Sequence, residues 1–211
     1  MKVSIIQRDI PVKYQFYQVV VFQVSLLIFL QTGQSFAQAP FLERLADSAI
    51  TLTSQMVQYD PGYYRIRYPG GDIPANRGVC TDVIIRAYRK MGVDLQKLIH
   101  EDMLGNFTDY PQLWGLKKPD TNIDHRRVPN MATFFRRHGT VLKISANAAD
   151  YSPGDVVTWD LGGGIPHIGI VVNRKKAQGS SFLVVHNIGS GQVMEDCLFR
   201  FRITGHFRFK P

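Results

Sequence analysis

Every helical pattern in this chain lies before Ile144, and every strand pattern lies after it. Phe41 to Gln58 carries apolar residues at Leu42, Leu45, Ala46, Ala49, Ile50, Leu52, Thr53 and Met56, the spacing of a helix with a broad buried face. Gly78 to Gly92 (GVCTDVIIRAYRKMG) repeats that spacing at Val83, Ile84, Ala87, Tyr88 and Met91, with Arg89 and Lys90 in the last turn and Gly92 as a stop. Asp94 to Met103 reads as a short helix. Asn130 is placed to cap another, Met131 to His138, which Gly139 ends. Beyond Ile144 the runs shorten. Asp155 to Leu161 follows the turn signal SPGD, Ile165 to Asn173 follows three glycines, and Ser181 to Gly189 follows KKAQG. The final stretch nearly alternates from Leu198 to Ile203. Helices first and closely spaced strands second predict an α+β domain with an antiparallel sheet.

Two segments fit neither pattern. Tyr59 to Gly78 is broken by Pro and Gly. Asn106 to Pro129 is a long connector holding Trp114 and the run NIDHRRVPN. The N-terminus stands apart as well. Lys2, Arg8 and Lys13 precede a 12-residue apolar core, Val19 to Leu30, too short to span a bilayer comfortably. Ser35 and Ala37 then occupy the small-residue positions of a cleavage site. The expectation is a signal peptide over 1–37, cut after Ala37, with 38–211 as one exported domain in the periplasm or outside the cell and no stable membrane insertion. Formal net charge is +8, and a basic surface suits an acidic polymer, anionic lipid or nucleic acid without choosing among them.

The residues able to do chemistry are few. Cys80 opens the Gly78–Gly92 helix, where unpaired N–H groups and the helix dipole favour a thiolate, while Asp82 opposes it. His167 starts one strand, and His186 ends the next with Asn187 beside it. A cysteine, a base and a group orienting that base form an activated nucleophile. The competing explanation is a disulfide, since Cys80 and Cys197 are the two cysteines of an exported chain. Cys197 otherwise reads as a small packing residue, and Asp155 as the closure of a turn. His100, Asp102, Asp124, His125 and His138 lack tight ligand spacing, so neither a metal nor a cofactor is expected. Arg126 and Arg127 beside Asp124 either hold the connector through ion pairs or clamp substrate carboxylates, and Trp114 is either a packing anchor or a ligand platform. The alternating FRFRITGHFRF reads as a strand with one buried face, and no nucleic-acid partner is expected.

The strings YPGG, GVCTDVIIRAYR, SPGDVVTW, PHIGIVV and VVHN resemble the NlpC-type cell-wall cysteine peptidases. That resemblance implies a reduced papain-like fold, with the cysteine helix packed on an antiparallel sheet. It implies Cys80 as nucleophile, His167 as base, His186 as third residue and Tyr68 near the oxyanion. The activity implied is an amidase or endopeptidase acting on peptidoglycan or cell-wall peptides through a thioester acyl-enzyme. Here Val79-Cys80-Thr81-Asp82 replaces the commoner Asp-Cys-Ser-Gly, which leaves the substrate pocket open. From about Ser48 to the end, the chain more closely resembles a bacterial family known as domain of unknown function 1287. Neighbours on a strand face opposite sides, so His186 and Asn187 cannot both orient His167. The same fold could also serve as a wall-binding module with Cys80 disulfide-bonded or idle, or as an acyltransferase. The hydrolase reading predicts Cys80 within roughly 4 Å of the His167 ring.

Overall fold

The computed structural model describes residues 40–211, so the expected signal peptide lies outside the described residues. Helix α1 (Phe41–Leu52) buries Leu45, Ala46, Ala49 and Leu52. It stops six residues earlier than the apolar pattern suggests. Met56 is 95% exposed, and Gln58–Tyr59 instead forms a short strand, β1, that pairs in parallel with β2 (Arg77–Gly78). Tertiary pairing has overridden local periodicity here, and it fixes the backbone that leads into the cysteine helix.

That helix, α2 (Cys80–Lys90), is buried at every residue from Cys80 to Tyr88. It ends at Gly92, whose φ of 79° is the left-handed conformation glycine adopts without strain. Helix α3 (Leu95–Asn106) is capped by Asp94, whose side chain accepts from the Lys97 N–H at 3.2 Å. Helix α4 (Val128–His138) begins two residues before Asn130, with Pro129 in its first turn. The Asn130 amide therefore does not cap that helix. It donates to the Asp124 carbonyl at 3.2 Å, tying the helix to the connector.

Six strands follow: β3 (Thr140–Val141), β4 (Val156–Asp160), β5 (Pro166–Lys175), β6 (Phe182–His186), β7 (Val193–Glu195) and β8 (Arg202–Arg208). They form one antiparallel sheet in the order β3-β8-β4-β5-β6-β7. Val156, Ile168, Ile170, Val172, Val185 and Phe207 face the helices, in one core with Ile84, Tyr88 and Phe135. Each such side chain contributes about 1.5–3 kcal/mol by leaving water. The opposite face carries Val157, Trp159, Val171 and Val184, covered by Tyr151, Cys197 and Leu198. The fold is thus α+β, with the cysteine helix packed on an antiparallel sheet.

The last strand starts later than the alternation of Leu198 to Ile203 suggests. Leu198 instead turns under the sheet, fully buried, and its carbonyl accepts from the Trp159 indole at 2.9 Å. Asp155 does close its turn, accepting from the Ser152 N–H at 2.9 Å. It also meets His206 at 2.9 Å and Arg208 at 2.7 Å, which fastens β8 to the start of β4.

Candidate active site

The site is built where α2 begins and β5 begins. Val79, just before the helix, donates its N–H to Asp82 at 2.7 Å, and Asp82 is held in turn by Arg126 at 2.9 and 3.0 Å. The rest of the Arg126 guanidinium donates to the carbonyls of Gly62 and Asp60 at 2.8 and 3.1 Å. Thr81 closes the knot by donating to the Arg126 carbonyl at 3.0 Å. Of the two roles open to Arg126, the ion-pair one is seen: it is a buried clamp on the protein's own chain, paired with Asp82. A cation at that place also neutralises the carboxylate nearest the thiol.

Arg127 points the other way. It pairs with Asp124 at 3.1 Å and lies over the Trp114 ring, 4.0 Å from its centroid. Both reach an open cleft of about 210 Å³, lined also by Tyr59, Val79, Cys80 and Pro166. Trp114 is 39% exposed, so it is a platform edge at the cleft and not a core anchor. Tyr68 is absent from that lining, and its ring packs edge-on to His100 at 4.9 Å. The tyrosine at the cleft is Tyr59, opposite Gly78 in the β1–β2 pair, with its hydroxyl pKa raised by burial and by Cys80. Four tyrosines crowd positions 59 to 68, and no local signal separates the one whose strand pairs beside Cys80.

His167 lies opposite Trp159 in the β4–β5 register, and its Nε2 is 2.9 Å from His186 Nδ1, with the two rings at 81°. Gly169, two residues on, makes this meeting possible. A Cβ there would fall 2.6 Å from Val184 Cγ1 and 3.2 Å from His186 Cβ. Asn187 is turned away from the pair. Its amide donates to the Gly78 carbonyl at 3.2 Å and its oxygen accepts from the Gly189 N–H at 3.1 Å, bracing the strand that delivers Cys80. Behind His186 stand two residues that sequence reasoning missed as site members. Its Nε2 is 3.4 Å from Glu195 Oε2 and 3.5 Å from Cys197 Sγ. Both cysteines are free thiols, which removes the disulfide explanation from this structure.

Cys80 is 6% exposed, and its sulfur accepts a hydrogen bond from the Ile168 N–H, one residue past His167. Among the described residues no hydrogen bond joins Cys80 to the His167 ring. By strand alternation His167 shares the face of Trp159 and Val171, whereas Ile168 faces the helices. The thiol therefore meets β5 at its first residues, between Pro166 in the cleft and Ile168 in the core. His167 Nε2 is taken by His186, so Nδ1 is the ring atom left to meet a thiol.

Residues 46–209 match the family described as Domain of unknown function (DUF1287). The chain belongs to this family. A relative from Escherichia coli (strain K12), "Uncharacterized protein YijF", is 52% identical over 165 residues, covering 78% of this chain and 80% of its own. Among solved structures, NlpC1 from Trichomonas vaginalis aligns with a TM-score of 0.44 and 15% identity, over 83% of this chain and 46% of that one.

The electrostatics of this DUF1287 site differ from the expectation of a thiolate at the helix start. Burial pushes the Cys80 thiol up to about 12, against the N–H groups of Ile168, Thr81 and Cys80 that favour the anion. Burial, and then the neighbouring His186, hold His167 down at about 3. Burial lowers His186 as well, with Glu195 opposing. At rest the Cys80 thiol and the two imidazoles are neutral, so desolvation outweighs the helix dipole here.

Proposed function

We propose that the protein is a thiol hydrolase of the papain-like, NlpC-type class, cleaving an amide bond in peptidoglycan or its peptides after export to the periplasm or beyond. The observation that supports this reading is a helix-opening cysteine at an open cleft, held by the Ile168 N–H on the strand whose neighbouring residue, His167, is paired with a second imidazole. The motif resemblance to cell-wall cysteine peptidases supplies the substrate class. A basic chain matches an acidic wall polymer.

His167 Nδ1 takes the proton from Cys80 Sγ as the sulfur attacks the amide carbonyl. A neutral resting pair suits this, because charge then develops only as the C–S bond forms. The N–H groups of Cys80 and Thr81, unpaired within the first turn, stabilise the oxyanion together with the Tyr59 hydroxyl. His167 passes its proton to the leaving amine, and a thioester remains on Cys80. Water, deprotonated by His167, attacks that thioester, releases a carboxylate and restores the thiol. His186 accepts from His167 Nε2–H throughout and keeps the ring from turning. Arg127 on its Trp114 platform provides a cation for an acidic group beside the scissile bond.

Incubation of purified peptidoglycan with the protein, read by mass spectrometry of the soluble fraction, tests the reading. Released peptides that vanish with Cys80→Ala support it. An intact wall under both proteins overturns it.

A further inference from the structure

The two imidazoles can share one proton between them in either of two orders, and only one order leaves His167 able to act as a base. A neutral imidazole carries a single N–H, and the 2.9 Å contact between His167 Nε2 and His186 Nδ1 needs one hydrogen. In the first order His167 donates from Nε2. Its Nδ1 is then a bare lone pair able to accept a proton, and His186 carries its own hydrogen on Nε2. In the second order His186 donates from Nδ1, so the His167 hydrogen sits on Nδ1. An imidazole in that state cannot accept a proton from Cys80. The choice is thus made at the far end of the pair, at His186 Nε2.

We propose that Glu195 is the positioning residue that sets this order, by holding the hydrogen of His186 on Nε2. Its Oε2 lies 3.4 Å from that nitrogen, longer than an ordinary N–H···O bond but close enough for its charge to decide between an N–H and a lone pair. An ionised carboxylate is an acceptor only, and it repels a lone pair. Strand register puts it there: Glu195 pairs with Val184, and Val184 shares a face with His186 two residues on. Arg200 Nη1, at 3.9 Å from the same oxygen, is the other charge facing Glu195.

Cys197 is the competitor. Its sulfur is 3.5 Å from the same His186 Nε2, and as an S–H donor it favours the opposite order. Without Glu195 the thiol would give its hydrogen bond to Nε2, His186 would donate from Nδ1, and His167 would be blocked. The two residues form the back wall of the pair, and the carboxylate wins because it is charged. The tautomers belong to these side chains alone. Only their consequence for Cys80 rests on the hydrolase reading.

Long-range nitrogen–proton NMR of the histidine rings in the full-length folded protein at neutral pH reads the order directly. Wild type should show both His167 and His186 protonated at Nε2. Glu195→Ala should move both hydrogens to Nδ1, and the Glu195→Ala/Cys197→Ala double variant, lacking the S–H donor, should recover Nε2 protonation in part. Alkylation of Cys80 by iodoacetamide at the same pH should slow several-fold in Glu195→Ala and regain rate in the double variant. An Nδ1 hydrogen on His167 in wild type, or retention of both Nε2 hydrogens in Glu195→Ala, overturns the proposal. A wall left intact by a protein that passes this tautomer test counts against the hydrolase reading and not against Glu195.

Discussion

His167 Nε2 and His186 Nδ1 stand 2.9 Å apart across two neighbouring strands, with Gly169 leaving the room between them. In the proposed mechanism His186 holds His167 Nε2 and leaves Nδ1 as the base. His186→Ala should therefore lower kcat/KM on wall peptides by about 100-fold, the low end of what a positioned base contributes, with KM little changed. Asn187→Ala removes the buried hydrogen bond to Gly78, on the strand that leads into the cysteine helix, and should cost about 1–3 kcal/mol of stability. Parallel kinetics and urea unfolding separate the two. Equal kinetic loss with equal destabilisation would contradict the division of roles.

The guanidinium of Arg126 and the carboxylate of Asp82 are both almost fully buried. Truncating one leaves an unpaired buried charge, so Arg126→Ala should destabilise the protein by about 3–5 kcal/mol. Arg127→Ala touches the cleft and should raise KM; it also leaves Asp124 without its partner, but Arg127 is the more exposed arginine, so the loss of stability should be smaller than for Arg126→Ala. Denaturant titration of both variants checks the contrast, and a larger loss from Arg127 would reverse the assignment.

Both thiols are free and buried, but only Cys80 lines the cleft. Iodoacetamide should modify Cys80 before Cys197 in the native protein, and its rate should climb with pH, because burial holds the thiol near 12. Cys197→Ala should cost about 1 kcal/mol. Peptide mapping after partial alkylation reads the order. Preferential labelling of Cys197 is the contrary result.

Acid should destabilise the fold. His125 and His167 are held at about 3 by burial, below the 6.5 of an exposed imidazole. Between those values the unfolded chain binds protons that the folded chain does not. Stability therefore falls as pH drops from about 6.5 toward about 3, by at most about 1.4 kcal/mol per pH unit for each histidine. Asp102 and Asp155, both lowered despite the burial that opposes it, by hydrogen bonds from Tyr110 and Arg137 and from His206 and Arg208, lose stability in the same direction as they protonate. Urea midpoints at pH 7.5 and pH 5 should differ in that sense, and a higher midpoint at pH 5 rejects it.

Legibility in the sequence followed the range of the interaction. Helix α2 was readable because its buried face repeats within one turn, and β5 because an apolar run follows three glycines. His167 and His186 could be placed at the facing ends of consecutive strands for the same reason. Tyr59 was not readable, since its position depends on a parallel pairing with Gly78 across eighteen intervening residues. Glu195 was hidden similarly: its place beside His186 comes from the β6–β7 register, and a lone glutamate in a turn-rich stretch carries no sign of it. The expected drop in the Cys80 pKa failed for a different cause. The helix start was correctly located, but how deeply the sheet would bury it is a property of packing.

The claim that Cys80 cleaves a wall amide by way of a thioester is met most directly by digesting purified peptidoglycan in heavy-oxygen water and weighing the fragments. Wild type should release peptides that carry one heavy oxygen in each newly formed carboxylate, and Cys80→Ala should release none. Fragments formed equally by Cys80→Ala, or a wall left whole by wild type, would contradict the account.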